Sequence, residues 1–398
     1  MNILILNCGS SSVKFQVAVM PGYKIIAKGG VGRIGYDDAE FTYHAGSVNQ
    51  RVTAAVADHK QAIALMLETL FGADSNTGIT AGDIDAVGHR VVQGGSLRSD
   101  SVIIDSSVIS DIESIKELAP LHNPNHLAGI YACAQLLPDV VQVAVFDNGF
   151  HSTLPEQAYL YGLPHEYHSK HAIRKYGFHG IAFRSMAEGV KRLTGRGADQ
   201  YKIVNMMLGS GTTANASLYG KSVEVSTGFT PLEGLIQSTR TGDLDPAALL
   251  YIMNKENLSP QEADELVNKR SGWSGLSGIS NDMREIYDAA QNGNARAEAA
   301  IAAACHRFKK YIGAYSAVMG GVDMLVFSGG VGENAWYIRN RVTEGLGFLG
   351  LELDEDKNSS LSGEGIISSD GSKAKILVVS ANEEKIIAQD TYALVNKK

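Results

Sequence analysis

An apolar strand that runs into a turn of small residues and leaves it as a second strand occurs twice in this chain, and that repetition constrains the fold more than any other feature. The first copy is ILILNCGSSSVKFQV, beginning at Ile3. Ile3 to Leu6 suit an interior strand, and Cys8 to Ser12 supply backbone N–H groups and hydroxyls that can close around phosphate oxygens. Lys14 adds a positive charge just beyond. The second copy, KIVNMMLGSGTTANASLYG from Lys202, again shows an apolar run, a Gly-Ser-Gly-Thr-Thr turn and an outgoing strand read as alternating. A third glycine loop, in MLVFSGGVGENAWYIRN, follows another apolar strand but leads into a helix, with Gly329, Gly330 and Gly332 permitting close backbone approach to a ligand. One such loop alone is commonly an ordinary turn. Two related hairpins followed by a strand-to-helix loop predict a nucleotide held between two related halves.

The 398 residues suit two domains, and 44% apolar content suffices for two cores. A net charge of -8, with Lys and Arg scattered, argues against nucleic acid and against an anionic membrane surface. Any anionic ligand must be gripped locally. Three cysteines, Cys8, Cys133 and Cys305, are an odd number without metal-ligand spacing, which favours reduced thiols. The start MNILILNCG enters a strand with no charged leader or cleavage site, and no apolar run reaches membrane-spanning length, so a cytoplasmic protein is expected.

No Pro-, Ser- or charge-rich linker separates the halves, so the boundaries follow from the strands. VQVAVFDNGFH from Val141 reads as a buried strand ending at Asp147, the kind of carboxyl end where open α/β sheets bind ligands. The expected domains are 1–150, joined by a closing helix at 382–398, and 151–381. The Ala-rich segment before Gly320 is expected to be a core helix, and DEDKNSSLSGEGIISSDGSK a polar surface loop.

The motifs LNCGSSSVKF, GHRVVQGG, PLHNP, VFDNGFH, YGFHG, FTPLEG, STRTGDLDP, SNDMRE, FSGGVGENA and ANEE follow one another along the whole chain. In that order they resemble the acetate kinase family (acetate and propionate kinases), within the actin-like and sugar-kinase-like phosphotransferases. The resemblance implies an α/β fold of two duplicated actin-like (ribonuclease H-like) domains with a nucleotide cleft between them. It also implies reversible, direct in-line transfer of the ATP γ-phosphoryl group to acetate, giving acetyl phosphate and ADP, with Mg2+ or Mn2+ and a homodimer.

Transfer between two anions demands cations and hydrogen-bond donors. Arginine can hold a carboxylate or phosphate bidentately, whereas an isolated Arg is more often a surface ion pair. By resemblance, Arg90 orients the acceptor carboxylate and Arg240 stabilises the moving phosphoryl group, with Asp243 and Asp245 available to fix its loop. Asp147 holds a metal-bound water or orients the reactants; an Asp after a strand is otherwise a common cap. His179 donates to the transferred oxygens, and His122 supports the pocket. Asn7 and Glu383 match the metal positions. Val92, Leu121, Phe178 and Pro231 match a small apolar pocket for the acid's methyl group, which does not separate acetate from propionate because one methylene is worth only about 1–3 kcal/mol. On the donor side the matches are Lys14; Met207, Leu208, Gly209, Ser210 and Gly211; Asp282, Met283 and Arg284; and Gly330, Val331, Gly332, Glu333 and Asn334.

Departures from the family pattern cluster around phosphate. Met207 to Gly211 stands where His-Leu-Gly-Asn-Gly is usual, Ile181-Ala182-Phe183 where Thr-Ser-His is common, and Asn148-Gly149 where Thr-Ala is. They leave open a kinase for propionate or another short acid, an altered phosphoryl donor, or a non-catalytic nucleotide-gated protein on the same fold. His165, His168 and His171, spaced by three in a segment that reads as a polar loop, offer a zinc site only as the rarer alternative to solvated or hydrogen-bonded histidines.

Overall fold

The computed structural model describes residues 1–119 and 122–397, and the chain divides into two compact units. The first comprises Met1–Gly149 and Asn382–Lys398; the second comprises Phe150–Ala381.

The first unit carries strands β1 (Asn2–Cys8), β2 (Ser12–Val19), β3 (Lys24–Gly32), β4 (Ala39–Ala45), β5 (Val48–Ala54), β6 (Ala86–Val91), β7 (Val102–Ile103) and β8 (Val141–Phe146), in the sheet order β5-β4-β3-β2-β1-β6-β8-β7. The Gly/Ser turn closes the antiparallel β1–β2 hairpin, from Asn2 opposite Val19 to Cys8 opposite Val13. From β1 the sheet continues in parallel through β6 and β8. A parallel segment must be covered on both faces, which accounts for the uninterrupted burial of Ile3 to Leu6. Leu4, Leu6 and Val87 pack with Ile63, Met66 and Cys133 of the helices His59–Phe71 and Asn123–Leu136. The helix Glu383–Val395 covers the other face. It rests on Gly88, where a Cβ atom would crowd the Thr391 and Ile387 side chains, so a larger residue requires those side chains to shift.

The second unit repeats the plan with β9 (Lys202–Leu208), β10 (Thr212–Leu218), β11 (Lys221–Val225), β12 (Met324–Ser328), β13 (Gly365–Ile366) and β14 (Lys375–Val378), in the order β11-β10-β9-β12-β14-β13. β9, β10 and β11 are antiparallel, and β9, β12 and β14 run parallel. β3-β2-β1-β6-β8 and β11-β10-β9-β12-β14 therefore share one topology, which is the duplication expected from the two hairpins. The helix Ala295–Val318, capped by Asn294, lays Ala297, Ile301, Ala304, Phe308 and Ile312 into the core with Val204, Met206 and Leu325.

Three local expectations need correction. β10 does not alternate between core and solvent: Thr212 to Ser217 are all buried, with polar side chains satisfied internally, Thr212 by the Ile236 carbonyl, Thr213 by His179 and Asn215 by Asn205 and Ser222. The polar loop after Leu353 contains the helix Glu355–Ser360, capped by Asp354, and strand β13. The three-histidine segment is a helix, His165–His171, rather than a loop. His165 and His168 are neighbours on one face, with ring centroids 5.7 Å apart, while at about 100° per residue His171 lies about 120° around the helix from His165, and no group of three or more His, Cys, Asp or Glu suited to a metal occurs among the described residues. Among those residues, no helix is long and apolar enough to cross a membrane.

Candidate functional site

In the first unit, residues from the carboxyl ends of three adjacent parallel strands meet at one guanidinium. Arg90 on β6 donates through Nη2 to Asp147 Oδ2 at 2.9 Å and through Nη1 to Asn7 Oδ1 at 3.4 Å. Its Nε lies 3.5 Å from Glu383 Oε2, at the start of the helix that crosses the sheet. The Asp147 side chain is 1% exposed and that of Arg90 17%. Burial opposes the charge on Arg90, and the Asp147 and Glu383 carboxylates outweigh it, holding the guanidinium firmly protonated. Burial, aided by the Asp147 and Glu384 carboxylates, pushes Glu383 above the ordinary carboxylate range, while Arg90 and Lys14 oppose the shift. Lys14 itself lies on β2 along a surface cavity of about 380 Å³ that Lys28, His44 and Glu384 also line.

Asn7, Asp147 and Glu383 offer only oxygen atoms, the donor chemistry that suits a hard divalent cation. Two carboxylates and one carboxamide are too few to enclose the ion. They fit Mg2+ or Mn2+ that keeps water and phosphate oxygens in its shell, rather than a closed protein site. Val92 is buried directly after β6. His122 precedes the helix Asn123–Leu136, and its ring stacks on His126 with centroids 6.5 Å apart. Leu121 lies outside the described residues.

In the second unit, a different arginine stands at the second hairpin. Arg240 donates through Nη1 to Gln237 Oε1 at 3.0 Å, and no carboxylate among the described residues pairs with it. Burial lowers its pKa from the ordinary arginine value. His179 precedes the helix Gly180–Thr194 with φ 59°, a left-handed conformation uncommon for a residue with a side chain, and its Nδ1 lies 2.9 Å from Thr213 Oγ1 on β10. The preceding residue, Phe178, is buried and fixed on both sides: its N–H donates to Thr227 Oγ1 at 3.0 Å, and its carbonyl lies 2.9 Å from His151 Nε2. Gly211 allows the two polar groups to crowd the turn. A Cβ there would lie 3.3 Å from His179 Cε1, 3.6 Å from Arg240 Nη1 and 3.6 Å from Gln237 Oε1. Pro231 joins the group through its carbonyl, which accepts from Gln237 Nε2 at 2.6 Å. Asp243 accepts from Gly234 N–H and Tyr311 and pairs with Arg307, while Asp245 caps the helix Pro246–Glu256, so both acids fix the loop after Arg240.

A cavity of about 540 Å³ in the same unit gathers Gly209, Ser210, Asp282, Met283, Arg284, Gly330, Val331 and Asn334. Gly330, Val331 and Asn334 come from the short helix Gly329–Asn334 after β12, and Asp282 caps the helix Met283–Gln291 while pairing with Arg284. Four donor-side residues point elsewhere. Leu208 is in the main core and Met207 packs beside Phe183 and Met186. Gly332 is buried, and Glu333 accepts from Gly329 N–H at 3.0 Å and Ser380 Oγ at 2.7 Å, stapling the loop from behind.

The same cavity includes residues the sequence motifs did not single out: Trp273, Asn281, Ala335 and Tyr337. The Tyr337 ring stacks on Tyr287 with centroids 3.6 Å apart. The aromatic pair Trp336-Tyr337 immediately after GENA was the available signal. His126 was also missed; it is 2% exposed, and neither ring nitrogen has a hydrogen-bond partner among the described residues.

The departures acquire physical reasons here. Ile181, Ala182 and Phe183 are buried on the helix after His179. Asn148 accepts from Gly94 N–H at 2.9 Å and donates to Gly95 carbonyl at 3.3 Å, tying down the GHRVVQGG loop. Ser210 hydrogen-bonds Ser238 side chain to side chain at 3.0 Å, and its carbonyl accepts from Ser238 N–H at 3.1 Å.

Comparison with known proteins covers nearly the whole chain. Residues 2–389 match the profile of the acetokinase family. An acetate kinase from Halothermothrix orenii is 48% identical over 399 residues, covering 99% of this chain and 100% of that protein. One from Dictyoglomus thermophilum is 46% identical, with 100% of both chains covered. Among solved structures, the acetate kinase of Porphyromonas gingivalis superposes with a TM-score of 0.95 at 41% identity, and a propionate kinase from Francisella tularensis with 0.91 at 38%; each match covers 99% of both chains.

Proposed function

The chain belongs to the acetokinase family, and on that premise we propose that it moves the γ-phosphoryl group of ATP reversibly onto acetate, using Mg2+ or Mn2+, as a cytosolic homodimer. Phosphotransfer to acetate is the activity its full-length relatives are named for. The observation that carries the assignment of roles is the gathering of His179, Arg240 and Gly211 at the second hairpin.

In the forward direction an acetate oxygen attacks the γ-phosphorus, an O–P bond forms, and the bond to the β,γ-bridging oxygen breaks with its electron pair leaving on ADP. Catalysis is then alignment and charge neutralisation, with no protein nucleophile. Cys8, the thiol nearest the first hairpin, is buried and its pKa is pushed up to about 12, which suits a packed thiol and not a nucleophile.

Arg90 supplies the cation for the acceptor carboxylate. Asp147, Asn7 and Glu383 hold Arg90 and offer oxygens to the metal, which when bound neutralises phosphate charge. Arg240 and His179 donate to the equatorial oxygens of the moving group, where such donors are worth most because charge accumulates there during transfer. Backbone N–H groups of Ser210 and Gly211 grip phosphate while the Gly209 N–H closes the turn on the Gly211 carbonyl at 3.1 Å, and this grip does not require the imidazole that Met207 replaces. The cavity lined by Asp282 to Arg284, Gly330 and Tyr337 takes the nucleoside. Val92, Leu121, Phe178 and Pro231 are assigned to the acid's methyl group on the family resemblance alone.

Rates of acyl phosphate formation, trapped as the hydroxamate, across formate, acetate, propionate and butyrate with ATP and other donors test this reading. Turnover highest with acetate and ATP supports it. Nucleotide binding without acid-dependent turnover overturns it.

A further inference from the structure

One buried carboxamide links three parts of the second unit's site that no motif connects. Gln237 is 1% exposed. Its Oε1 accepts from Arg240 Nη1 at 3.0 Å and from Thr212 N–H, at the end of the phosphate-gripping turn, at 3.2 Å. Its Nε2 donates to the Pro231 carbonyl at 2.6 Å. The backbone of the same residue donates to the Arg240 carbonyl at 3.1 Å and accepts from Trp273 N–H at 3.0 Å, so the side chain springs from a fixed point. Next to it, Ser238 is tied to Ser210 by two hydrogen bonds. Both acceptor sites of the amide oxygen and one of its two N–H donors are therefore used, and the orientation of the amide is determined by its partners.

The chemistry of the partner matters as much as the geometry. A carboxylate in this place would pair with Arg240 and cancel much of the charge that an incoming phosphoryl group must meet. A carboxamide fixes the guanidinium by a hydrogen bond and leaves its charge intact. We propose that Gln237 is a positioning residue for phosphoryl transfer, holding Arg240 in register with the Gly209–Thr212 turn and with Pro231 while leaving it cationic. The inference rests on the role given to Arg240 above.

Gln237→Met, of similar length but without hydrogen-bonding atoms, and Gln237→Glu, which keeps the acceptors and adds a negative charge, test it in the full-length protein. A displaced guanidinium misses a transition state that tolerates little misplacement, so Gln237→Met lowers kcat roughly ten- to hundredfold with KM for ATP within about threefold. Gln237→Glu lowers kcat at least as much. In an Arg240→Ala background, Gln237→Met changes the residual rate by less than about twofold, because the group it positions is gone.

Wild-type kcat in both Gln237 variants, or a Gln237→Met effect undiminished in the Arg240→Ala background, overturns the proposal. So does loss of cooperative unfolding in both variants, which would make Gln237 only a core residue. An Arg240→Ala protein with wild-type turnover instead overturns the underlying role of Arg240, so the two failures are distinguishable.

Discussion

Arg90 donates a 2.9 Å hydrogen bond to Asp147, whose carboxylate is all but sealed from solvent at the end of the neighbouring parallel strand. Arg240, in contrast, is held by the neutral Gln237. The first arginine is stabilised as an ion pair and the second is kept as an uncompensated cation. That difference suits two jobs: orienting a carboxylate already drawn into a charged pocket, and receiving negative charge that appears only during transfer.

Removing Arg90 deprives a buried carboxylate of its cation. Arg90→Ala is expected to lower unfolding free energy by roughly 3 kcal/mol, and kcat/KM for acetate by about a hundredfold or more. The double variant Arg90→Ala/Asp147→Ala regains part of the stability but none of the activity. Urea unfolding followed by tryptophan fluorescence, alongside steady-state kinetics, checks both; equal stability of the single variant and wild type contradicts the ion-pair account.

His179 is aimed by Thr213. Thr213→Val keeps the shape of a buried β10 residue and removes its hydroxyl, so stability changes by about 1 kcal/mol while kcat falls about three- to tenfold. A kcat unchanged within error would leave the 2.9 Å contact without a role in turnover.

The three thiols are expected to be silent in the native protein. Burial pushes Cys8 and Cys305 up to about 12, and burial also raises Cys133, so few thiolates exist at neutral pH. Ellman's reagent at pH 7.5 should label essentially none of the cysteines until denaturant is added, and then all three. Rapid labelling with loss of activity in the native state would show Cys8 to be accessible.

Stability should fall on mild acidification through His89. This ring is buried on β6 beside Gln142, and burial lowers its pKa from 6.5 to about 4. Between those values the unfolded chain binds the proton and the folded chain does not, so stability is full above pH 6.5 and is lost as pH falls toward 4. The loss from this one group is of the order of 3 kcal/mol. His126, lowered for the same reason, acts in the same direction. Urea midpoints between pH 7 and pH 4.5 should drop less steeply in His89→Gln than in wild type; parallel slopes would remove His89 as the cause.

Much of this was legible because hairpin loops carry their own chemistry. The repeated strand–turn–strand signal at Asn7 and Gly209 located both hairpin turns, and the order of motifs supplied the candidates Arg90, Asp147, His179 and Arg240. Periodicity failed at β10, where a polar layer is buried and alternation has no solvent face to report. Glu333 entered the donor-side set through the glycine motif it sits in, and its carboxylate bonds Gly329 and Ser380. Gln237 gave no signal at all. Its importance lies in three partners spread from Thr212 to Arg240, and a sequence does not reveal which side chain lies between them.

The most direct test is the turnover of Arg240→Ala with saturating ATP and acetate, measured beside its affinity for ATP. The expected result is a kcat about 10²–10³-fold lower with ATP affinity within about fivefold of wild type. An Arg240→Ala protein that forms acetyl phosphate at the wild-type rate would contradict it.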